Sequence, residues 1–300
     1  MKYIDTTKQG RHSFGLYLGG IALVVLLYVL GNLPLLFDLQ YNYNGLLFEP
    51  ENPLFIATYG SVHLLFALLL PFVLVFFGLV LYLRFAHQRP LLSIFTTAKR
   101  FRWRRFFFFS GFLLAFFITT TFLEAQLTGE AQQIHWNFKF SEFWPLLCVG
   151  CLMIPLQAAA EELIFRVYAL QGLFLRTQSV LASVLLSSLL FALMHISNPE
   201  VTELGPGILL YYFAAGCFLA LITVQDDGLE LALAFHVFNN LFGALVVSSS
   251  WQVFHTQALF LDSRPPGSLF LHLATGLATF SVLYLLLAKK FKWQGLRTLR

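Results

Sequence analysis

The sequence predicts an all-α fold, a polytopic membrane helix bundle of about eight transmembrane helices with both termini cytoplasmic. Three observations predict it. First, 58% of the 300 residues are hydrophobic and 11% are charged, whereas a soluble domain carries about 45–50% apolar and about 25% charged residues. Second, 35 of the residues are Phe, and so little polar surface cannot cover a sphere in water. Third, the 19 basic and 15 acidic side chains are bunched between long uncharged stretches, each near the ~20 residues that cross a hydrocarbon core. A net charge of +4 and a pI of about 9.0 are what cytoplasmic loops supply in such a protein, so no nucleic acid partner is expected. The expected surroundings are a lipid bilayer.

The elements follow in order. Phe14–Gly31 comes after a basic start (Lys2, Lys8, Arg11) and has no small-residue cleavage site, so it reads as a signal anchor. Within it Gly15 and Gly19 form a GxxxG that would let another helix come close. Leu54–Leu83 is too long for one straight crossing and contains Pro71, which predicts tilt, a kink or an interfacial start. Phe106–Leu123 follows the cluster Lys99, Arg100, Arg102, Arg104 and Arg105 around Trp103, a headgroup anchor beside an aromatic belt. Phe143–Ala160 has a helical extension past it. Ser179–Met194, Gly205–Val224, Leu231–Ser249 and Leu269–Ala288 complete the set.

Alternate loops then divide the charge. The N-terminus, the Arg84–Arg105 loop, Arg176 and the C-terminus hold nearly all Lys and Arg, while the opposite side has Lys139 and Arg264 and most of the acids. An excess of basic residues marks the cytoplasmic side. Cys148 and Cys151 match a CxxC on one helix face, but with no second pair they read as two small buried thiols. No repeat, low-complexity tail or linker interrupts the chain, so residues 1–300 read as a single integral membrane domain.

Ionisable residues inside spans are costly and mark function by default. Here Glu161, Glu162 and Arg166 lie past Ala158–Ala160 on what reads as continuous helix. Glu162 and Arg166 are four apart with the acid first, the favourable orientation for a helical ion pair, which leaves Glu161 without an obvious partner. His195 stands one turn beyond Phe191, and His236 shares a face with Asn240. His63 and His272 lack an ionisable neighbour at helical spacing and read as core histidines. If the chain turns near Thr177, Glu161 and His195 lie about 24 and about 27 Å from the turn and so nearly level, with His236 about 15 Å past the Asp226–Asp227 turn.

A carboxylate, two imidazoles and an amide in a desolvated pocket suit peptide hydrolysis. Glu161 would take a proton from water, helped by a His, while His236 and Asn240 donate to the oxyanion. A divalent metal such as zinc on Glu161, His195 and His236 is the other route to activated water, although there is no HExxH. A proton-coupled transporter is the competing reading, and it would call for inverted repeats or paired broken helices.

Glu-Glu-x-x-x-Arg at Glu161–Arg166, Phe-x-x-x-His at Phe191–His195 and His-x-x-x-Asn at His236–Asn240, in that order, resemble the three motifs of the CPBP (CAAX protease and bacteriocin-processing, or Abi) intramembrane endopeptidases. The resemblance covers about residues 158–242. It implies a glutamate-type protease, of a kind often called a metalloprotease. Glu161 and His195 would activate water and His236 and Asn240 would stabilise the transition state, with Glu162, Arg166 and Phe191 in support. It also implies a peptide or membrane-protein substrate, lipidated in the eukaryotic relatives, and a bacterial cytoplasmic membrane as the location. A non-proteolytic scaffold or immunity protein of the same family is the remaining alternative. One departure is Val167, where a Gly commonly follows the motif Arg.

Overall fold

The computed structural model describes residues 2–42 and 61–293. Helices occupy all eight predicted segments: α1 (Phe14–Asn42), α2 (Ser61–Phe85), α4 (Trp103–Leu127), α5 (Phe140–Glu162), α7 (Val180–Leu193), α9 (Leu209–Asp226), α10 (Glu230–Leu241) and α11 (Leu269–Phe291). Short helices α3 (Leu91–Phe95), α6 (Leu170–Thr177) and α8 (Pro199–Leu204) lie between them. Six of the helical stretches are long and apolar enough to cross a membrane, α5 and α6 forming one of 38 residues, whereas α7 and the α10 region fall below that length. The chain is thus an all-α membrane bundle with two shorter helices, of which α7 keeps an exposed leucine face and α10 is set inside. The buried run of α10 from Glu230 through Val237 shows that this short helix has protein on nearly every side.

The long helices face lipid with their outer sides. Phe14, Leu18, Ile21, Val25 and Val29 of α1 are all more than half exposed, as an apolar solvent permits. Pro71 stays inside α2, and its backbone packs against Gly31 of α1 so closely that an added Cβ would come within 2.4 Å of the Pro71 Cα. That is where α1 uses a glycine for close approach. Gly15 of the predicted GxxxG has open space around it, and Gly19 meets only the tip of Tyr82. The first part of the predicted second span, up to residue 60, lies outside the described residues. Cys148 and Cys151 are exposed on α5, not buried as the apolar run suggested.

One end of the bundle gathers the segments that the basic tally groups together. Tyr3 N donates to Asp227, Arg11 N to the His87 carbonyl, Thr97 N to the Asp227 carbonyl and Trp293 Nε1 to Asp226. A 3-10 segment, Tyr3–Gln9, is inserted here, with Tyr3, Ile4, Thr6 and Thr7 buried. Arg89, itself buried, ties it down by donating to Thr6, Gln171 and the Ser93 carbonyl.

The other end is capped by a three-stranded sheet, β1 (Ile134–Trp136), β2 (Val247–Ser249) and β3 (Phe260–Asp262), in the order β1-β3-β2. β1 pairs antiparallel and β2 parallel to β3. The seventh predicted segment therefore ends early. The helix passes through a π turn, Phe242–Val246, and Val247–Ser249 becomes strand. A short apolar run with β-branched residues suits either state, and here pairing with Phe260–Asp262 decides it.

Candidate active site

Glu161 and Glu162 close α5, and the chain continues as a π turn, Leu163–Ala169, before α6. The sequence reads this stretch as continuous helix, and it is continuous, but with one wide turn. A π turn rotates the residues after it relative to those before it and is common at functional sites. Val167, the departure from the motif, is buried within this turn against Tyr3, Leu79, Leu83 and Tyr168, where a side chain is accommodated. Ala158 and Ala160 are fully buried, and α10 crosses beside them.

Both carboxylates are buried and they have different partners. Glu162 accepts a hydrogen bond from His236 Nδ1 at 2.7 Å through Oε1, and Arg166 Nε lies 3.3 Å from its Oε2. The pairing of Glu162 with Arg166 is the one the spacing predicted. The bond to His236 joins α5 to α10 and was not legible. Glu161 accepts through Oε1 from the amide of Gln157, one turn earlier. Its Oε2 is buried and without a hydrogen-bond partner, with His236 Nε2 at 3.6 Å.

Gln157 is the residue that sequence reasoning missed. While its Nε2 donates to Glu161, its Oε1 accepts from Asn240 Nδ2 at 3.0 Å, and Asn240 Oδ1 in turn accepts from Asn239 Nδ2 at 3.1 Å. The amides are thereby oriented in series, which fixes which end of Asn240 donates. Its position four residues before Glu161 was the available signal, since such pairs share a helix face.

Arg166 is fully buried and donates to the Gly216 carbonyl. Its guanidinium also stands 4.6 Å over the ring of Phe191, a cation–π contact that a desolvated site strengthens. Phe191 lies edge-on to Phe165 and 6.2 Å from the His236 ring. His195 follows α7, donating through Nδ1 to the Phe191 carbonyl at 2.7 Å and stacked 4.2 Å from Tyr212. That bond leaves its Nε2 as the basic nitrogen, and His195 feels the charges of Glu161, Arg166 and His236. The structure thus brings Glu161, Glu162, Arg166, Phe191, His195, His236 and Asn240 to one place. His272 is elsewhere, beside Trp251.

The metal alternative does not fit this arrangement. Among the described residues no three His, Cys, Asp or Glu side chains are grouped to hold an ion. Glu161, His195 and His236 do not form such a group.

Fold and site together define a class: an integral, multi-pass membrane protein with a desolvated acid, imidazole and amide cluster between its helices. The comparisons sharpen it. The family model for type II CAAX prenyl endopeptidases, Rce1-like, matches residues 140–242, the stretch that holds all three motifs. The match falls on the stretch whose motifs resemble the CPBP family and supports a membrane endopeptidase-like role. Over 259 residues the chain is 26% identical to the uncharacterized protein YyaK of Bacillus subtilis (strain 168), with 82% of each chain covered. No solved structure matches the chain.

Proposed function

We propose that the protein is an intramembrane endopeptidase in which Glu161 and His195 activate water and His236 and Asn240 stabilise the tetrahedral intermediate. One observation carries the reading: Glu161 is held by Gln157 through one oxygen while the other, buried oxygen has no hydrogen-bond partner. A carboxylate oriented in this way but not saturated is a general base awaiting a proton donor.

Water adds to the scissile carbonyl as Glu161 Oε2 takes its proton, with His195 Nε2 as the second acceptor. The new oxyanion receives hydrogen bonds from Asn240 Nδ2, whose second N–H is free of Gln157, and from His236 Nε2. With both nitrogens protonated, His236 donates to Glu162 and to the oxyanion at once, and its charge balances the two carboxylates against the single Arg166. Collapse of the intermediate breaks the C–N bond, and the proton held by Glu161 passes to the departing amine. Donors fixed in a dry site act without reorganisation, which makes them more effective than in water.

The family's CAAX prenyl endopeptidase description makes a prenylated C-terminal peptide the first substrate to try. Purified protein in detergent is expected to cleave it, and Glu161→Gln and His195→Ala to lose that activity. Equal turnover by all three proteins would sink the proposal.

A further inference from the structure

A second site lies at the end of the bundle that carries the basic loops. A cavity of about 680 Å³ opens there between the start of α4 and the end of α11, lined by Arg100, Arg102, Arg104, Arg105 and Lys290 with Phe101, Trp103, Phe108 and Phe291. Two of these cations are already spoken for. Arg102 donates through Nε and a terminal nitrogen to Glu230 and reaches Asp226 at 2.9 Å, and Arg105 pairs with Asp226. Among the described residues Arg100, Arg104 and Lys290 have no acidic partner. The two carboxylates therefore neutralise the inner wall and leave an outer rim of three positive charges.

The shape below that rim matters as much as the charge. Trp103 is 58% and Phe108 43% exposed, and Lys290 lies 4.0 Å over the Phe108 ring, closing the gap between the helices. Phe108 and Phe112 stand one and two turns below Arg104 on the same face of α4, and both are exposed. Cations at headgroup level above an apolar lane match a ligand with a phosphate at one end and a hydrocarbon chain at the other. Aromatic side chains of this kind sit at the membrane–water interface, and each nearby Lys or Arg adds attraction for anionic lipid.

We infer that this cavity binds the phosphate of an anionic phospholipid headgroup, with an acyl chain along Phe108 and Phe112. The full chain in a neutral detergent would be mixed with phosphatidylglycerol or phosphatidylcholine, and the bound lipid measured by native mass spectrometry. Phosphatidylglycerol should be retained about tenfold or more over phosphatidylcholine, and Arg100→Gln/Arg104→Gln/Lys290→Gln should remove that preference. The control Lys139→Gln, at the opposite end, should keep it. Equal retention by wild type and the triple variant, or the same loss in Lys139→Gln, overturns the inference. Inorganic phosphate in equal concentration should fail to displace the lipid, and full displacement would assign the cavity to a free phosphate and overturn the lipid assignment.

Discussion

At the basic end of the bundle, Asp226 and Glu230 face Arg102 and Arg105; deeper, Glu161 and Glu162 face Arg166 and His236. The two clusters are built from the same kinds of part, four buried or half-buried groups on crossing helices. They differ in how they close. The first sets two guanidiniums against two carboxylates, and each carboxylate is gripped, Glu230 by three N–H groups of one arginine. The second sets a single permanent cation and a titratable ring against two carboxylates: Arg166 Nε stands 3.3 Å from Glu162 Oε2, whereas Glu161 Oε2 faces no guanidinium among the described residues and has only His236 Nε2, at 3.6 Å. In the first, even Asp226 Oδ2, which makes no hydrogen bond, has the Arg102 guanidinium 2.9 Å away. On the proposed reading the second keeps Glu161 Oε2 in reserve, and burial makes that reserve costly to maintain.

Four experiments break or sharpen this contrast. The largest effect should come from Glu161→Gln, with peptide turnover falling about 10³-fold while the thermal midpoint stays or rises, because an underpaired buried acid has been removed. A variant that loses activity by unfolding would break the distinction. Next, Arg102→Met should cost about 3 kcal/mol of stability by stranding Glu230 and leaving Asp226 to Arg105 and Trp293, read by thermal or denaturant unfolding in detergent. Gln157→Leu should lower turnover about tenfold, since it frees both Glu161 and Asn240 from their orientation. A Gln157→Glu variant that does no better would show that the neutral amide is needed.

The smallest effect is one of pH, at the basic end. Burial, aided by the positive fields of Arg89 and His12, holds the His87 imidazole below its ordinary value, while its bond to the Arg11 carbonyl works the other way. His87 sits among Tyr17, Tyr82 and Tyr168. The unfolded chain takes up a proton there near pH 6.5 and the folded chain at lower pH, so the contribution is present above that pH and is lost as pH falls through it. Unfolding midpoints measured from pH 7.5 to 5.5 should decline in the wild type and decline less in His87→Gln.

Much of the site was legible because its parts repeat at helical spacing. Glu162 with Arg166, Phe191 with His195 and His236 with Asn240 are each four residues apart, and equal lengths of helix on either side of a turn bring Glu161 and His195 level. What escaped was whatever depends on a partner far along the chain. Asn240 lies 83 residues beyond Gln157, and His236 74 beyond Glu162, so neither bond leaves a local mark. The strand Val247–Ser249 escaped for the same reason, its state being set by Phe260–Asp262. The polar, short Tyr3–Gln9 segment carries no apolar period, yet its Tyr3, Ile4, Thr6 and Thr7 are buried almost completely.

That inserted segment also orders the protein in time. Tyr3 docks on Asp227, 224 residues further along, and at synthesis rates of about 5–20 residues per second the partner emerges about 10–50 s later. Through that interval Tyr3 and Ile4 wait outside the helices they will later hold together. Residues made early are thus among the last to be seated, and a bulky fusion placed just ahead of them would have to be accommodated at the moment of closure.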